Sequence, residues 1–323
     1  MSSRVPDGGA LTLWAPAKIN LTLDIKGLRP DGFHEIATVY QALALADRLE
    51  VRLRWESGHL PTITVAVDDE AVPAGSANLA HRAVASVLAA IGRTTGPAGL
   101  SPRVEVVIAK AIPPAAGLGG GSSDAAAALK ALNRLLGNPL DRLTLDRLAA
   151  GLGSDVPFFL HGGTALGRGR GEIIESLPGA PAFHVVLVKA GDKTSTAEVY
   201  ARYDALARAG GDRPGRNGGS APTGWPDRTN RAVQAIVRQD AGALAAAVGN
   251  DLAAAVRAAE PRVTAAEAAL AASGAVAVAV SGAGPVVFGL FPDQALAETA
   301  RGRLAVEFPW TALTRFSVTA GDH

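Results

Sequence analysis

The sequence predicts an α+β protein in two domains, residues 1–177 and 178–323. Three observations carry this. Apolar and polar residues alternate over Leu13 to Lys26, Val51 to Trp55, Ile63 to Val67 and Arg103 to Ala109, as in half-buried strands, and alanine- and leucine-rich runs of helical length lie between or after them. Pro178-Gly179-Ala180-Pro181 breaks the pattern midway, as a domain boundary does. Beyond the break the order is strand, helices, strand, strand, helix, strand, which is that of a ferredoxin-like sandwich.

Composition narrows the function classes. The chain has 323 residues, 48% of them hydrophobic, which supports two sizeable cores. Aromatics are only 5%, so the cores must be built from Ala, Val and Leu. A net charge of +1 argues against electrostatic binding of nucleic acid or membrane as the main role. The absence of cysteine excludes disulfides and thiolate metal sites. Met1 to Gly9 has no signal-peptide core, and no apolar run reaches membrane-spanning length. The expectation is a soluble, cytoplasmic protein, a monomer or homodimer.

In order, the first strand covers Leu13 to Lys26. Ile19, Leu21, Leu23 and Ile25 share one face; Lys18, Asn20, Thr22, Asp24 and Lys26 share the other. Taken alone, that second face reads as solvated. Arg29-Pro30-Asp31-Gly32 is a turn signal, followed by Phe33-His34, which suits packing beside a surface residue or stacking and hydrogen bonding to a base. Glu35 to Leu45 is extended, and Val51 to Trp55 and Ile63 to Val67 form the next strands. Asn78 is placed to cap a helix over Leu79 to Ile91, stopped by Gly92.

The strand Arg103 to Ala109 leads into Pro113-Pro114-Ala115-Ala116-Gly117-Leu118-Gly119-Gly120-Gly121-Ser122-Ser123-Asp124, and a helix follows over Ala125 to Leu136. Glycines between a strand and a helix allow positive φ and let backbone N–H groups curl around an anion at the helix N-terminus. Ser122 and Ser123 suit capping and offer hydroxyls to a phosphate or metal. A flexible turn is the plain alternative, but a linker is rarely followed at once by serines and a long helix. No Lys follows the glycines and the Gly-x-Gly-x-x-Gly spacing is absent, so neither familiar nucleotide loop applies.

A further helix spans Asp141 to Leu152. In Gly153-Ser154-Asp155-Val156-Pro157-Phe158-Phe159, Ser154 or Asp155 suits the cap of a short helix with Pro157 in its first turn. The other reading of Asp155 is a general base beside an apolar pair. Gly162 to Gly171 and Glu172 to Leu177 read as strand with tight turns. After the boundary come the strand Phe183 to Lys189 and a capping box, Ser195-Thr196-Ala197-Glu198, before the helix with Tyr200. Ala209 to Asp227, rich in Gly, Pro and Arg, reads as a loop. Helices around Asn230 to Arg238, Gly242 to Ala259 and Arg262 to Ala272 follow, the middle one interrupted by the polar groups of Asn250-Asp251-Leu252. Strands Ala275 to Val280 and Val286 to Phe291 flank Ser281-Gly282-Ala283-Gly284-Pro285. A helix, Asp293 to Ala305, and a strand, Leu313 to Thr319, end the pattern.

Pro16-Ala17-Lys18-Ile19-Asn20-Leu21, the Pro113 to Asp124 loop and Ser281-Gly282-Ala283-Gly284-Pro285 together resemble the three signature regions of the GHMP small-molecule kinases. Within that superfamily the match is nearest to the branch acting on a methylerythritol that carries a cytidine diphosphate group. Arg29 to Glu35, Gly153 to Phe159 and Ser195 to Tyr200 support this, so the resemblance runs from about Trp14 to Phe291.

The resemblance implies a GHMP kinase two-domain fold. Its N-terminal domain is like ribosomal protein S5 domain 2, its C-terminal domain is ferredoxin-like, and the active site lies in the cleft between them. It implies ATP-dependent phosphorylation of the substrate's 2-hydroxyl in the non-mevalonate route to isoprenoid precursors. Lys18 and Asp155 are the implied catalytic pair, Asp155 taking the hydroxyl proton and Lys18 stabilising charge on the transferring group. Pro113, Pro114, Ala115, Ala116, Gly117, Leu118, Gly119, Gly120, Gly121, Ser122 and Ser123 are implied to bind the ATP phosphates, with Asn78 at the adenine end. Phe33 and Tyr200 are implied to sandwich the cytosine and His34 to hydrogen-bond it. Asn20, Thr196, Gly282 and Gly284 complete the substrate contacts. No carboxylate cluster makes a self-contained metal site, so Mg²⁺ is expected with the nucleotide. Val286 after Pro285, and Ala283 where Ser is frequent in the family, leave the side-chain contacts of the third region open. Two other readings stay open: another GHMP kinase, acting on homoserine, mevalonate or a sugar, and a non-catalytic nucleotide sensor on the same fold.

Overall fold

The computed structural model describes residues 8–58, 60–92, 99–192, 195–209 and 227–317. Two long strands found its first sheet. β1, Gly9–Leu28, and β2, His34–Glu56, pair antiparallel across the turn at residues 29–33. That turn closes by the Gly32 N–H donating to the Arg29 carbonyl at 3.1 Å, with Gly32 at φ +81°. The sequence suggests two extended pieces where β2 is one, because no glycine or proline interrupts residues 34–56.

β3, Thr62–Val67, leads to α1, Leu79–Ala90, and then to β4, Ser101–Ala109. After the glycine loop come α2, Gly120–Leu135, α3, Arg142–Leu152, and α4, Val156–His161. β5, Thr164–Arg168, and β6, Ile173–Ser176, hang from β2. The sheet runs β3-β4-β2-β1, and one face carries the helices. Leu13, Leu49, Val51, Val104 and Val106 pack there against Ala83, Val84 and Val87 of α1 and the alanine face of α2. Alanine at those α2 positions lets helix and sheet approach closely, which explains a sizeable core with few aromatics.

β7, His184–Lys189, opens the second sheet just after residues 178–181. Then come α5, Thr196–Ala209, α6, Asp227–Val237, and α7, Ala241–Ala247. The helix expected over Gly242 to Ala259 is broken. α7 ends at Ala247, β8, Gly249–Asn250, pairs parallel with β1, and α8 begins at Ala253 and ends at Ala259. Gly249, Asn250 and Asp251 are weak helix formers, and their polar groups find better partners outside a helix. Asn250 Nδ2 donates to the carbonyls of Val280 at 3.0 Å and Gly282 at 2.8 Å, while the Asp251 carboxylate accepts the Ile25 N–H at 2.8 Å.

α9, Arg262–Ala272, β9, Ala277–Val280, β10, Val286–Phe291, α10, Gln294–Glu307, and β11, Trp310–Arg315, complete the chain. The second sheet is antiparallel in the order β11-β7-β10-β9, the ferredoxin-like order. The expected last strand runs past Arg315 to Thr319, and residues 318–319 lie outside the described residues; so do residues 210–226 of the expected loop. The two halves share a core in which Ile19, Leu21, Val39 and Leu43 meet Phe183, Val185, Leu187 and Phe288. This shared core holds the edges of the halves at a fixed separation, and a cleft of about 1000 Å³ lies between them.

Candidate active site

The floor of the cleft is the polar face of β1. It is not solvated: Lys18, Asn20, Thr22 and Asp24 are all at most 5% exposed. Thr22 and Asp24 lie under Thr229 of the second half, and Lys18 and Asn20 lie among Thr38, Tyr40 and Asp155 of the first, with Gly282 close by. Alternation identifies a polar face but not what lies above it. The β1–β2 register shifts between Pro16 and Lys18 and again between Asn20 and Thr22. The Lys18 N–H therefore donates not across the ladder but to the Leu118 carbonyl, at 2.9 Å. Lys18 Nζ donates to Asn20 Oδ1 at 2.7 Å, and Asn20 Nδ2 donates to Thr38 Oγ1 at 2.8 Å. Each member of this chain orients the next.

Lys18 Nζ also lies 3.5 Å from Asp155 Oδ2. The capping reading of Asp155 fails, since its side chain makes no cap bond to α4. Instead Asp155 Oδ1 accepts a hydrogen bond from the Tyr40 hydroxyl at 3.0 Å. Asp155 is one-third exposed at the cleft while Lys18 is buried. A carboxylate beside an ammonium, open on one side, is arranged to receive a proton from a bound hydroxyl.

The glycine loop forms one wall. The cap of α2 is Gly119 in the left-handed region at φ +75°, with no side-chain cap bond. Ser122 and Ser123, expected to cap, lie inside the helix; tight packing puts the helix start at the glycines. A Cβ on Gly119 would strike the Phe159 ring, 2.7 Å away, and Lys18 Cγ at 3.1 Å. The first helical bond is from the Ser123 N–H to the Gly119 carbonyl at 2.9 Å, so the amides of Gly120, Gly121 and Ser122 precede it and face the cleft as anion donors. Pro113, Pro114, Ala115, Ala116 and Gly117 line the same wall.

The turn after β9 forms the facing wall, with Gly282, Ala283 and Gly284 on the cleft. The Ser281 hydroxyl donates to the Gly117 carbonyl at 3.1 Å. A Cβ on Gly282 would lie 3.4 Å from Lys18 Nζ and 3.3 Å from Asn20 Oδ1, so this glycine keeps the Lys18 ammonium accessible.

At the far end stand the aromatic residues. Tyr200 stacks on His34 with centroids 4.8 Å apart, and His34 Nε2 donates to the Asp204 carboxylate at 2.9 Å. Phe33 is 53% exposed, with the Arg170 guanidinium 4.8 Å from its ring centroid. Thr196 lines the cleft beside them.

Three expected contacts fall elsewhere. Asn78 spends its side chain on the helix: Oδ1 accepts from the Ala80 N–H and Nδ2 donates to the Pro73 carbonyl, both at 2.8 Å. The Leu118 side chain is in the core shared by the two halves. Ser123 is buried and does not line the cleft.

Sequence reasoning missed Tyr40, Asp204 and Arg170, and also a buried cluster beneath the loop. Lys110, at the rim, donates to Asp47 and, at 2.9 Å, to Asp124 Oδ2. Asp47 Oδ1 also accepts the Ala111 and Ile112 N–H groups at 2.7 and 2.8 Å, whereas Asp124 Oδ1 has no partner among the described residues. Burial pushes the Asp124 carboxyl up to about 7, against the pull of Lys110. The sequence signal is slight: Lys110 and Asp124 are isolated charges at apolar boundaries, and Asp47 stands beside Arg48 and Glu50.

The pattern of the GHMP kinases N terminal domain matches residues 78–163, and that of the GHMP kinases C terminal domain matches residues 232–309. A relative from Moorella thermoacetica, a 4-diphosphocytidyl-2-C-methyl-D-erythritol kinase, is 42% identical over 310 residues, covering 94% of this chain and 98% of its own. A crystal structure of a 4-(cytidine 5'-diphospho)-2C-methyl-D-erythritol kinase superposes with TM-score 0.73 at 31% identity, over 95% of this chain and 99% of that one. A homoserine kinase from Cytophaga hutchinsonii shares the fold, with TM-score 0.69 at 18% identity, over 98% of this chain and 97% of that one. With both patterns matched in order and a relative this similar along its whole length, the chain belongs to the GHMP kinase family.

Proposed function

We propose that this protein transfers the terminal phosphoryl group of ATP to the 2-hydroxyl of 4-diphosphocytidyl-2-C-methyl-D-erythritol. The observation that carries this is that one cleft holds three things together. They are the Lys18–Asp155 pair, an uncapped helix start bordered by glycine, and the aromatic group of Phe33, His34 and Tyr200. The fold alone does not select the substrate, since homoserine kinase shares it.

The loop fits a polyphosphate. The N-terminal amides of α2 have no side-chain cap, and a Cβ at Gly117 would overlap the Ser281 carbonyl in the space beside them. Bound Mg-ATP would supply the phosphoryl group and a cation that offsets phosphate charge. Gly120, Gly121 and Ser122 hold phosphate oxygens through backbone N–H, and Gly282 and Gly284 face them across the cleft. Asn20 holds the Lys18 ammonium toward the reacting oxygen. Asp155 takes the hydroxyl proton on Oδ2 as that oxygen attacks, and Lys18 stabilises charge on the transferring group.

The aromatic end suits cytosine. In the tautomer that donates from Nε2 to Asp204, Nδ1 is the ring's acceptor, which matches the exocyclic amine of cytosine. Phe33 is exposed at the rim, where it can stack on a base, and Tyr200 holds the His34 ring from behind. The test is ATP consumption with the cytidylyl substrate, mevalonate and homoserine offered in parallel. Turnover of the cytidylyl compound at least about 100-fold above the others is expected. Preference for either of the others overturns the substrate, and no turnover of any favours a sensor.

A further inference from the structure

We propose that Tyr40 is a positioning residue for phosphoryl transfer: its buried hydroxyl fixes one oxygen of Asp155 so that the other is presented to Lys18 and to the substrate hydroxyl. The inference rests on Asp155 acting as the base, as set out above.

The geometry of the carboxylate carries the argument. Asp155 makes no cap bond to α4, so the helix does not orient it. Its contact with Lys18, at 3.5 Å, is a loose ion pair, and the short bond of Lys18, at 2.7 Å, goes to Asn20. The directional contact on the carboxylate is therefore the Tyr40 hydroxyl on Oδ1 at 3.0 Å. Without it the group can turn about its last side-chain torsion, which has a broad preference.

Tyr40 itself is held rigidly. It sits within β2, is 1% exposed, and stacks on Phe158 of α4 with centroids 4.9 Å apart. Asp155 immediately precedes that helix, so the contact that docks α4 on β2 also sets the reach from the hydroxyl to the carboxylate. Two glycines make room. A Cβ at Gly167 would press on the Tyr40 ring, and one at Gly171, at φ +105°, would overlap its hydroxyl oxygen. A phenylalanine would fill the ring's share of that slot. The space at Gly171 is reserved for the oxygen, and the hydrogen bond of that oxygen goes to Asp155.

The role is positional and not acid–base. Burial, and then the charge of Asp155, push the Tyr40 phenol well above its usual range, so it stays a donor throughout the working pH range. During transfer the substrate proton passes to Asp155 Oδ2 and the substrate oxygen bonds to phosphorus. The bridging oxygen leaves with ADP, and Tyr40 keeps its proton. Misplacing a reacting group by about 1 Å costs up to about 100-fold in rate.

The experiment compares Tyr40→Phe, Asp155→Asn and the double variant in steady-state kinetics with ATP and the cytidylyl substrate, alongside thermal melting. Tyr40→Phe is expected to lower kcat by about 10- to 100-fold, with both KM values within about twofold of wild type. The double variant is expected to be no slower than Asp155→Asn. Tyr40→Phe turnover within about twofold of wild type, while Asp155→Asn is crippled, overturns the positioning role and leaves the base intact. So does a loss carried by KM, or a loss that recurs in full on the Asp155→Asn background. If Tyr40→Phe melts well below wild type, that background comparison still decides. Near-normal turnover by Asp155→Asn removes the base, and this inference falls with it.

Discussion

Ser281 donates its hydroxyl to the Gly117 carbonyl at 3.1 Å, and this bond latches the glycine turn of the second half onto the glycine loop of the first. The two turns touch backbone to backbone. Gly284 is not in the left-handed region, but a Cβ there would overlap the Ala116 carbonyl and crowd the Gly117 amide. Neither is the end of a flexible side chain, so one wall of the phosphate site must move. Gly284→Ala is therefore expected to lower kcat/KM for ATP by about 10- to 100-fold while the protein remains folded. Steady-state kinetics at saturating cytidylyl substrate check this, and unchanged ATP parameters would show that the closeness of the turns does not shape the site.

At the other end of the cleft, Phe33 is 53% exposed, with Arg170 against its ring. A large aromatic kept at a rim contributes little to folding and is free to stack on a ligand. Phe33→Ala is expected to weaken binding of the cytidylyl substrate by about 1–3 kcal/mol, with the melting temperature close to wild type. The readout is KM for that substrate at saturating ATP, with ATP affinity as the internal control. Equal weakening toward both substrates would point to a collapsed rim instead of a lost stack.

Much of the site was legible because its parts are local. The glycine loop, the Ser281 turn and the strand bearing Lys18 each announce their backbone conformation within a few residues. What was not legible depends on contacts between distant segments. The polar face of β1 reads equally well as solvated or covered, and only segments distant in sequence, Thr38, Tyr40 and Asp155 as well as Thr229, decide that it is covered. β8 is two residues long, shorter than any period, so the polar interruption at Asn250 to Leu252 is visible in the sequence but the strand at Gly249 and Asn250 is not. Tyr40 lies between Val39 and Gln41 in a strand whose pattern explains it as packing, and its partner Asp155 is remote in sequence. The cap at Asn78 is legible because it is local: its Oδ1 accepts the Ala80 N–H.

The cluster of Asp47, Lys110 and Asp124 under the loop leads to a dependence of stability on pH. One ammonium serves two buried carboxylates, and Asp124 is the poorer served, with Lys110 as partner on one oxygen and, among the described residues, none on the other. Burial raises its carboxyl from 3.8 to about 7 in the folded chain. Between those values the folded protein keeps a proton that the unfolded chain has released. The contribution to stability is thus fully present below the unfolded value and is lost as pH rises through the folded value. Asp124→Asn places a neutral group there at every pH and leaves Lys110 paired with Asp47. Relative to wild type, the variant is therefore expected to melt progressively higher as pH rises from about 5 to about 8. Melting curves of both proteins across that range give the difference directly, and other titrating groups cancel between them. A difference that stays flat over the range would mean that Asp124 shares Lys110 as an ordinary carboxylate, and that the loop rests on a charged cluster at all working pH.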